Sequence, residues 1–137
     1  MTALVVDSSV ALSWCFEDEI SPETDAILDQ VRLLGAVVPN LWHVEVANVL
    51  LQAERRGRLT LSEVGEAIGL MSELHISIDD DTAGRAWREI IGTARADGLT
   101  VYDAAYLELA VRRGVPLATK DVELARAARR AGVTVLP

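Results

Sequence analysis

The chain has 137 residues, of which 50% are hydrophobic and 25% are charged, and its formal net charge is −8. This length and composition are typical of a single domain, here 1–137, that buries an aliphatic core. The lone cysteine, Cys15, excludes an internal disulfide and therefore a secreted disulfide scaffold. No apolar run approaches the roughly 18 residues that a membrane span needs, so we expect a cytoplasmic protein with no membrane association.

The charges are distributed unevenly along the chain. Segment 112–130 holds six of the 13 basic residues but only two of the 21 acidic ones. A chain with such an excess of acid does not bind nucleic acid through bulk charge. It can bind if metal ions neutralise part of the acid and residues 112–130 contact phosphates. Solvation of helix faces is the alternative role of these basic residues.

Short apolar runs alternate with segments that carry helix-capping signals. Thr60 with Glu63 has the spacing of a capping box, and Thr100 with Asp103 repeats it. The first half of the chain predicts a strand over 3–6, helices over 8–16 and 22–34, a strand over 36–38, a helix capped by Asn40 that ends at Arg56, and a helix over 61–74. The second half predicts a strand over 75–78, a helix that 79–81 opens and that ends near Gly98, a helix to Arg113, a strand over 115–119, a helix that begins at Asp121, and a strand over 133–136.

Strands that alternate with helices need crossover connections, which give a mostly parallel sheet covered on both faces. The element order therefore predicts the α/β class, and specifically a three-layer α/β/α sandwich with a five-stranded sheet. Such sheets bind ligands beyond the carboxyl ends of their strands, where the strand order reverses. The residues that follow the strands are thus the first candidates for a functional site.

Four carboxylates are predicted to meet near this edge of the sheet. Asp7 ends the first strand, and Asp121 follows the fourth strand by two residues. Glu45 lies in the helix after the second strand, and Asp103 lies in the helix before the fourth. Close like charges raise one another's pKa, and a divalent cation relieves that repulsion. Oxygen ligands suit Mg²⁺ or Mn²⁺, whereas helix capping is the alternative role of the three aspartates.

Glu45 is the least easily explained of the four acids. It lies in an otherwise apolar helical segment, 41–51, where a carboxylate is rarely buried without a partner. Asn48 is three residues further on and shares its helix face. We therefore expect Asn48 to hydrogen-bond and orient the Glu45 carboxylate.

Four segments of the chain carry a resemblance to a known family. They are LVVDSSV at 4–10, PNLWHVEVAN at 39–48, LTVYDAAYLELA at 99–110 and PLATKD at 116–121. In this order and spacing they resemble the PIN-domain ribonucleases, and more closely the VapC toxins of bacterial toxin–antitoxin pairs. The resemblance covers essentially the whole chain and implies a PIN-like fold.

The resemblance implies an endoribonuclease that uses one or two Mg²⁺ or Mn²⁺ ions to hydrolyse RNA phosphodiester bonds. The metal-binding acids of the family fall on Asp7, Glu45, Asp103 and Asp121. Glu45 is either a ligand or the group that orients the attacking water. Ser8 or Ser9 and Thr119 fall where the family has small hydroxyl residues beside the acids. Glu123 stands where the family continues with a further polar or acidic residue.

The resemblance also implies three partners. The substrate is a structured cellular RNA, cut within exposed single-stranded loops. The chain is expected to form a homodimer and to be inhibited by a cognate VapB-type antitoxin that covers a groove near the active site. The aliphatic helices are consistent with an apolar surface for such a partner.

Two other functions are compatible with parts of the pattern. A response-regulator receiver domain is also a small α/β sandwich with acids at strand ends, with 79–81 as the phosphorylation site and Lys120 as its strand-end lysine. It requires an acidic pair after the first strand, where this chain has only Asp7, and capping of a helix is the favoured role of 79–81. A catalytically inactive PIN-fold binding protein is the other alternative, and the retention of all four acids argues against it.

Overall fold

Five short strands form one parallel sheet in the computed structural model, which describes residues 3–137. The strands are β1 (Leu4–Val6), β2 (Ala36–Pro39), β3 (Ile76–Asp79), β4 (Leu117–Ala118) and β5 (Val135–Leu136). Their order across the sheet is β3-β2-β1-β4-β5, and every neighbouring pair is parallel. The prediction of a mostly parallel five-stranded sheet is therefore confirmed.

Helices connect the strands and cover the sheet. They are α1 (Ser8–Ser13), α2 (Pro22–Leu34), α3 (Trp42–Arg55), α4 (Leu61–Glu73), α5 (Thr82–Arg85), α6 (Ile91–Asp97), α7 (Val101–Arg113) and α8 (Val122–Arg130). All residues of β1, β2 and β4 are buried, as expected of a parallel sheet with helices on both faces. The predicted α/β sandwich is thus confirmed.

The strand order reverses beside β1. From β1 the chain moves outward through β2 to β3, then returns to the opposite side of β1 to form β4 and β5. The backbone N–H of Asp7 donates to the carbonyl of Ala118 at 3.1 Å, so the β1–β4 pairing continues to the first residue after β1. The carboxyl ends of β1 and β4 therefore lie side by side at the switch point of the sheet.

Local sequence signals set most of the helix boundaries. Ser21 caps α2 with a reciprocal box to Thr24, and Thr60 caps α4 with a reciprocal box to Glu63. These side chains satisfy backbone N–H groups that have no partner within the helix.

No described helix is both long and apolar enough to cross a membrane.

The structure corrects the prediction at several boundaries. α1 stops at Ser13, and a 3-10 turn at Glu17–Glu19 follows where a longer helix was expected. Asn40 does not cap α3: its backbone N–H donates to Thr82 Oγ1 at 3.3 Å, and α3 begins at Trp42 without a side-chain cap. The helix expected over 79–98 is divided, because a π-helical stretch at Ala86–Ile90 separates α5 from α6. β4 and β5 are shorter than predicted.

Candidate active site

Asp7 lies at the centre of the candidate site, directly beyond β1. Its carboxylate is 4% exposed and caps α1 by accepting the Val10 N–H on Oδ1 at 3.0 Å. The same Oδ1 accepts the Ser9 hydroxyl at 2.6 Å, and Oδ2 accepts the Thr119 hydroxyl. Three donors therefore fix the orientation of this carboxylate. They leave Oδ2 with one lone pair that no described residue uses.

The two hydroxyl residues also join β1 to the distant segment after β4. Thr119 Oγ1 accepts the backbone N–H of Asp121 at 3.0 Å. Ser9 Oγ accepts the backbone N–H of Lys120 at 3.1 Å. Asp7 and Asp121, which are far apart in sequence, are thus held to one another through Thr119.

Asp121 combines a structural role with an open carboxylate. Its Oδ1 accepts the Leu124 N–H at 2.8 Å and so caps α8. The residue is exposed, and Oδ2 has no protein partner among the described residues. The capping role weighed against metal binding is therefore real for both Asp7 and Asp121. In each case it occupies one carboxylate oxygen and leaves coordinating capacity on the other.

Asp103 enters the site from the first turn of α7. Thr100 caps that helix by accepting the Asp103 N–H at 3.1 Å. The carboxylate of Asp103 does not return to the Thr100 N–H, in contrast to the reciprocal box of α4. The Asp103 carboxylate interacts with the Thr100 side chain, which opposes the rise of its pKa, and it is close enough to Asp121 and Asp7 for their charges to raise it.

Glu45 is held by a residue that the sequence did not single out. The buried hydroxyl of Tyr106, on α7, donates to Glu45 Oε1 and joins α7 to α3. Asn48 is exposed and makes no hydrogen bond to Glu45 in the described part of the chain. Tyr106 therefore has the role that we expected of Asn48. Ser8 also reaches the Tyr106 hydroxyl, so it supports the site through this tyrosine.

Burial and mutual repulsion raise the pKa of the acids. Burial is the larger cause of the raised pKa of Asp7, to which the Asp121 charge contributes. The pKa of Glu45 is raised by burial and then by the charges of Asp103 and Asp7, against the opposing hydrogen bond from Tyr106. Burial followed by repulsion from Asp121 and Asp7 raises the pKa of Asp103. The four acids thus form one electrostatically coupled group.

The chemistry of this group fits a hard divalent cation. Its donors are all carboxylate oxygens, and none of the four acids forms an ion pair with a described Lys or Arg. Within residues 3–137, no three acidic, His or Cys side chains are gathered closely enough to chelate a metal as they stand. Mutual repulsion keeps uncompensated carboxylates apart, and a cation between them removes that force.

The acidic run at 79–81 has a different role from the one we expected. Asp79 is the last residue of β3 rather than a helix cap. Its buried carboxylate accepts from Arg112 Nη2 at 2.8 Å and from Arg113 Nη2 at 3.2 Å. Asp81 precedes α5 without a side-chain capping bond. An Asp79 covered by two guanidinium groups does not suit the open phosphorylation site of a receiver domain.

Both the sequence and the fold match known proteins. Residues 4–130 match the PIN domain family. The chain is 31% identical over 122 residues to Ribonuclease VapC3 of Pyrobaculum aerophilum, a match that covers 89% of this chain and 92% of that relative. The family that the sequence motifs indicated is therefore confirmed.

Two crystal structures share the fold. PAE2754 of Pyrobaculum aerophilum superposes with a TM-score of 0.70 at 23% identity, covering 98% of this chain and 90% of that one. FitAcB of Neisseria gonorrhoeae gives a TM-score of 0.65 at 16% identity, covering 98% and 96%. The strand order, the family match over nearly the whole chain and the 31% identical relative together show that this chain belongs to the PIN domain family.

Proposed function

We propose that this chain is a divalent-metal-dependent endoribonuclease and the toxin of a VapC-type toxin–antitoxin pair. The observation that carries the proposal is the uncompensated group of four carboxylates at the switch point of a PIN-family sheet. The name of the 31% identical relative, a ribonuclease of the VapC type, supports RNA as the substrate.

The metal would be Mg²⁺ or Mn²⁺, in one or two copies, held by Asp7, Asp103 and Asp121, with Glu45 contributing to the same site. When bound, such an ion lowers the pKa of a water molecule and offsets the charge that develops on the phosphoryl oxygens. The structure supports these ligands because each has carboxylate capacity that no described side chain uses. Asp7 is the most rigid of them, since three hydrogen bonds fix its orientation.

Glu45 is suited to orient the attacking water. Tyr106 occupies Oε1 and holds the carboxylate toward the other acids, whereas Oε2 has no partner among the described residues. A carboxylate with a raised pKa is also a better proton acceptor than an ordinary one. Thr119 and Ser9 keep Asp7 in place, and their hydroxyls are satisfied by backbone N–H groups rather than left to substrate.

The first test is cleavage of total cellular RNA by the purified chain. We expect discrete fragments with Mg²⁺ or Mn²⁺ and none with EDTA. Asp7→Asn, purified in the same way, controls for contaminating ribonuclease. Equal cleavage by wild type and this variant would contradict the assignment of Asp7. A folded wild-type chain that binds Mn²⁺ in calorimetry but cleaves no RNA would contradict the proposed activity.

An antitoxin is the proposed regulatory partner, and an apolar groove between α3 and α4 is its proposed docking site. The groove has a volume of about 650 Å³, and its lining includes Trp42, Val46, Leu50, Leu51, Ile68 and Met71. The Trp42 indole N–H is buried and has no acceptor among the described residues. The helix α3 lines this groove and also carries Glu45, so it connects the groove to the candidate site.

Charged substitutions in the groove test the antitoxin proposal. Leu51→Glu and Ile68→Glu change exposed side chains of the groove, so the fold should persist. We expect both variants to cleave RNA normally and to resist inhibition by a VapB-type antitoxin. Leu33→Glu, at an exposed position of α2 outside the groove, should remain inhibited. Unchanged inhibition of the two groove variants would exclude this surface.

We also propose that the chain is a homodimer, as its family membership suggests. Light scattering of the purified chain tests this proposal directly. Twice the mass of one chain is the expected result, and a monomer across the accessible concentration range would contradict it.

A further inference from the structure

A cleft of about 390 Å³ adjoins the acidic group on the side of α8. Its lining includes Thr119 and Asp121 from the candidate site and two cations, Lys120 and Arg129. Its volume lies in the range of small-ligand sites, roughly 300–1,000 Å³. Space for a small molecular unit thus begins directly beside the candidate catalytic carboxylates.

The arginines of α8 differ in how their charges are compensated. Arg126 pairs with Glu123 at 2.9 Å, and Arg130 pairs with Asp97 at 3.1 Å. Arg129 lies between them, is exposed, and forms no ion pair within residues 3–137. The arginine that lines the cleft is therefore the α8 arginine whose charge is uncompensated.

Lys120 supplies a second positive charge to the cleft. Its backbone N–H is fixed by Ser9, and its ammonium group lies 3.4 Å from Glu19, a long and exposed ion pair. Exposed ion pairs contribute little stability. The Lys120 ammonium group can therefore leave Glu19 for an anion that binds it more strongly. A phosphate group is such an anion for both lysine and arginine.

The other walls of the cleft are apolar. Val122, Val135 and Pro137 line it, and Val122 is largely exposed. A nucleotide has the matching division, because its phosphate is anionic whereas its sugar and base present apolar faces. The cleft therefore combines two cations and an apolar floor next to the acids.

We infer that this cleft binds the nucleotide adjacent to the scissile phosphate of a single-stranded RNA, with Arg129 and Lys120 contacting its backbone phosphate. The inference rests on the proposed ribonuclease function and adds the path of the substrate. It explains how a chain with a net charge of −8 holds a polyanion: the contacts come from the unpaired Arg129 and the weakly paired Lys120 beside the acids rather than from bulk charge.

Binding of a fluorescein-labelled single-stranded RNA oligomer of mixed sequence tests the inference, in the Asp7→Asn background so that the RNA stays intact. We expect Arg129→Gln to weaken binding about tenfold and Arg129→Lys to restore most of it. The slope of log Kd against log salt concentration should fall by about 0.7 for each phosphate that the variant no longer neutralises. Arg126→Gln removes the same charge from the same helix and should change neither quantity.

Cleavage kinetics separate this inference from the proposed function. In the active chain, Arg129→Gln should raise KM and leave kcat within about twofold, since Arg129 does not touch the reacting atoms. RNA affinity and salt slope that are equal in Arg129→Gln and wild type would overturn the inference, as would equal losses in Arg126→Gln. Absence of cleavage by wild type would instead contradict the proposed function, while the binding measurement would still decide the role of the cleft.

Discussion

Two acids of this chain, Asp79 and Asp7, have similarly little solvent-exposed surface and opposite electrostatic surroundings. Asp79 is 2% exposed and Asp7 is 4% exposed. Hydrogen bonds from Arg112 and Arg113 lower the pKa of Asp79 against the opposing effect of burial. Burial raises the pKa of Asp7, and the charge of Asp121 adds to that rise. Low exposure alone therefore does not determine the direction of a pKa shift here, because a cationic partner reverses it at Asp79.

The difference separates a structural cluster from a candidate functional one. Asp79 belongs to an ion-pair network in which Arg112 bridges it to Glu108, so the end of β3 is fastened to α7. The acids around Asp7 receive hydroxyl and amide donors but no cation. Repulsion between uncompensated carboxylates destabilises a fold. Such repulsion around Asp7 therefore points to a functional site, at which a bound ligand compensates the negative charge.

The largest effect is expected from removing a charge at Asp7. Asp7→Asn should lower kcat/KM for RNA cleavage by on the order of 10²- to 10³-fold, the range for loss of one group that stabilises the transition state. Its metal-free stability should be equal to or above that of wild type, because one repulsive charge is gone. Thermal unfolding in EDTA measures the second quantity. A strongly destabilised Asp7→Asn would place Asp7 with Asp79, as a structural acid.

The opposite result is expected in the ion-pair network. Arg112→Ala leaves Asp79 and Glu108 without their shared partner and should lower the free energy of unfolding by about 3 kcal/mol. Arg113→Ala removes a hydrogen bond to the same Asp79 from a side chain that is 48% exposed, and should cost less than about 1 kcal/mol. Urea unfolding of the two variants provides the comparison. Equal losses of unfolding free energy in the two variants would contradict the role of Arg112 as the shared partner of Asp79 and Glu108.

A smaller effect is expected at the hydroxyl of Tyr106. Tyr106→Phe keeps the buried ring and removes the donor to Glu45, so Mn²⁺ affinity should fall about tenfold, within the range for groups that orient metal ligands. Tyr102→Phe changes the same atom on the same helix at a position that is 64% exposed, and should have no effect. Calorimetric titration distinguishes the two. A lower thermal stability with unchanged Mn²⁺ affinity would assign Tyr106 a purely structural role.

The smallest effect is expected in the pH dependence of stability. Because Asp7, Glu45 and Asp103 have raised pKa values, the folded chain binds their protons more tightly than the unfolded chain, whose acids titrate near 3.8 to 4.5. In EDTA, stability should therefore fall as the pH rises above the ordinary carboxyl range, and it should level off once these three acids have ionised. Asp79 has a lowered pKa, so its contribution is complete above that range and is lost only as the pH falls below it.

Two comparisons sharpen the pH measurement. Asp7→Asn should flatten the decline, because it removes both a titrating group and a neighbour of the others. Saturating Mg²⁺ should reverse the decline, since deprotonated carboxylates bind the metal. A wild-type chain whose metal-free stability rises steadily as the pH rises above the ordinary carboxyl range would contradict the electrostatic coupling of the four acids.

The sequence predicted most of the fold because the deciding signals are local. Ser21 and Thr60 cap helices through partners three residues away, and apolar runs mark the strands. The same reasoning selected the four candidate acids, since each follows or precedes a strand of recognisable pattern. Their convergence at one edge then follows from parallel topology.

The errors in side-chain roles concern pairings between distant segments. Tyr106 lies 61 residues from Glu45, and Arg112 lies 33 residues from Asp79. The sequence alone does not show which side chain meets which across such distances. The sequence therefore predicts local roles for Asn48 and for 79–81. In the structure, Glu45 and Asp79 have partners from distant segments instead. The amide of Asn40 is another example, since its acceptor on Thr82 is 42 residues away.

The strand order also has a consequence for when the acids come together. Asp7 and the partner that fixes its Oδ2, Thr119, are separated by 112 residues, and Asp121 is later still. During synthesis the first half of the sheet is available long before β4. The complete set of acids therefore exists only after the ribosome has delivered the segment through Asp121, so a chain terminated before that residue lacks its assembled centre and, with it, the activity that we propose.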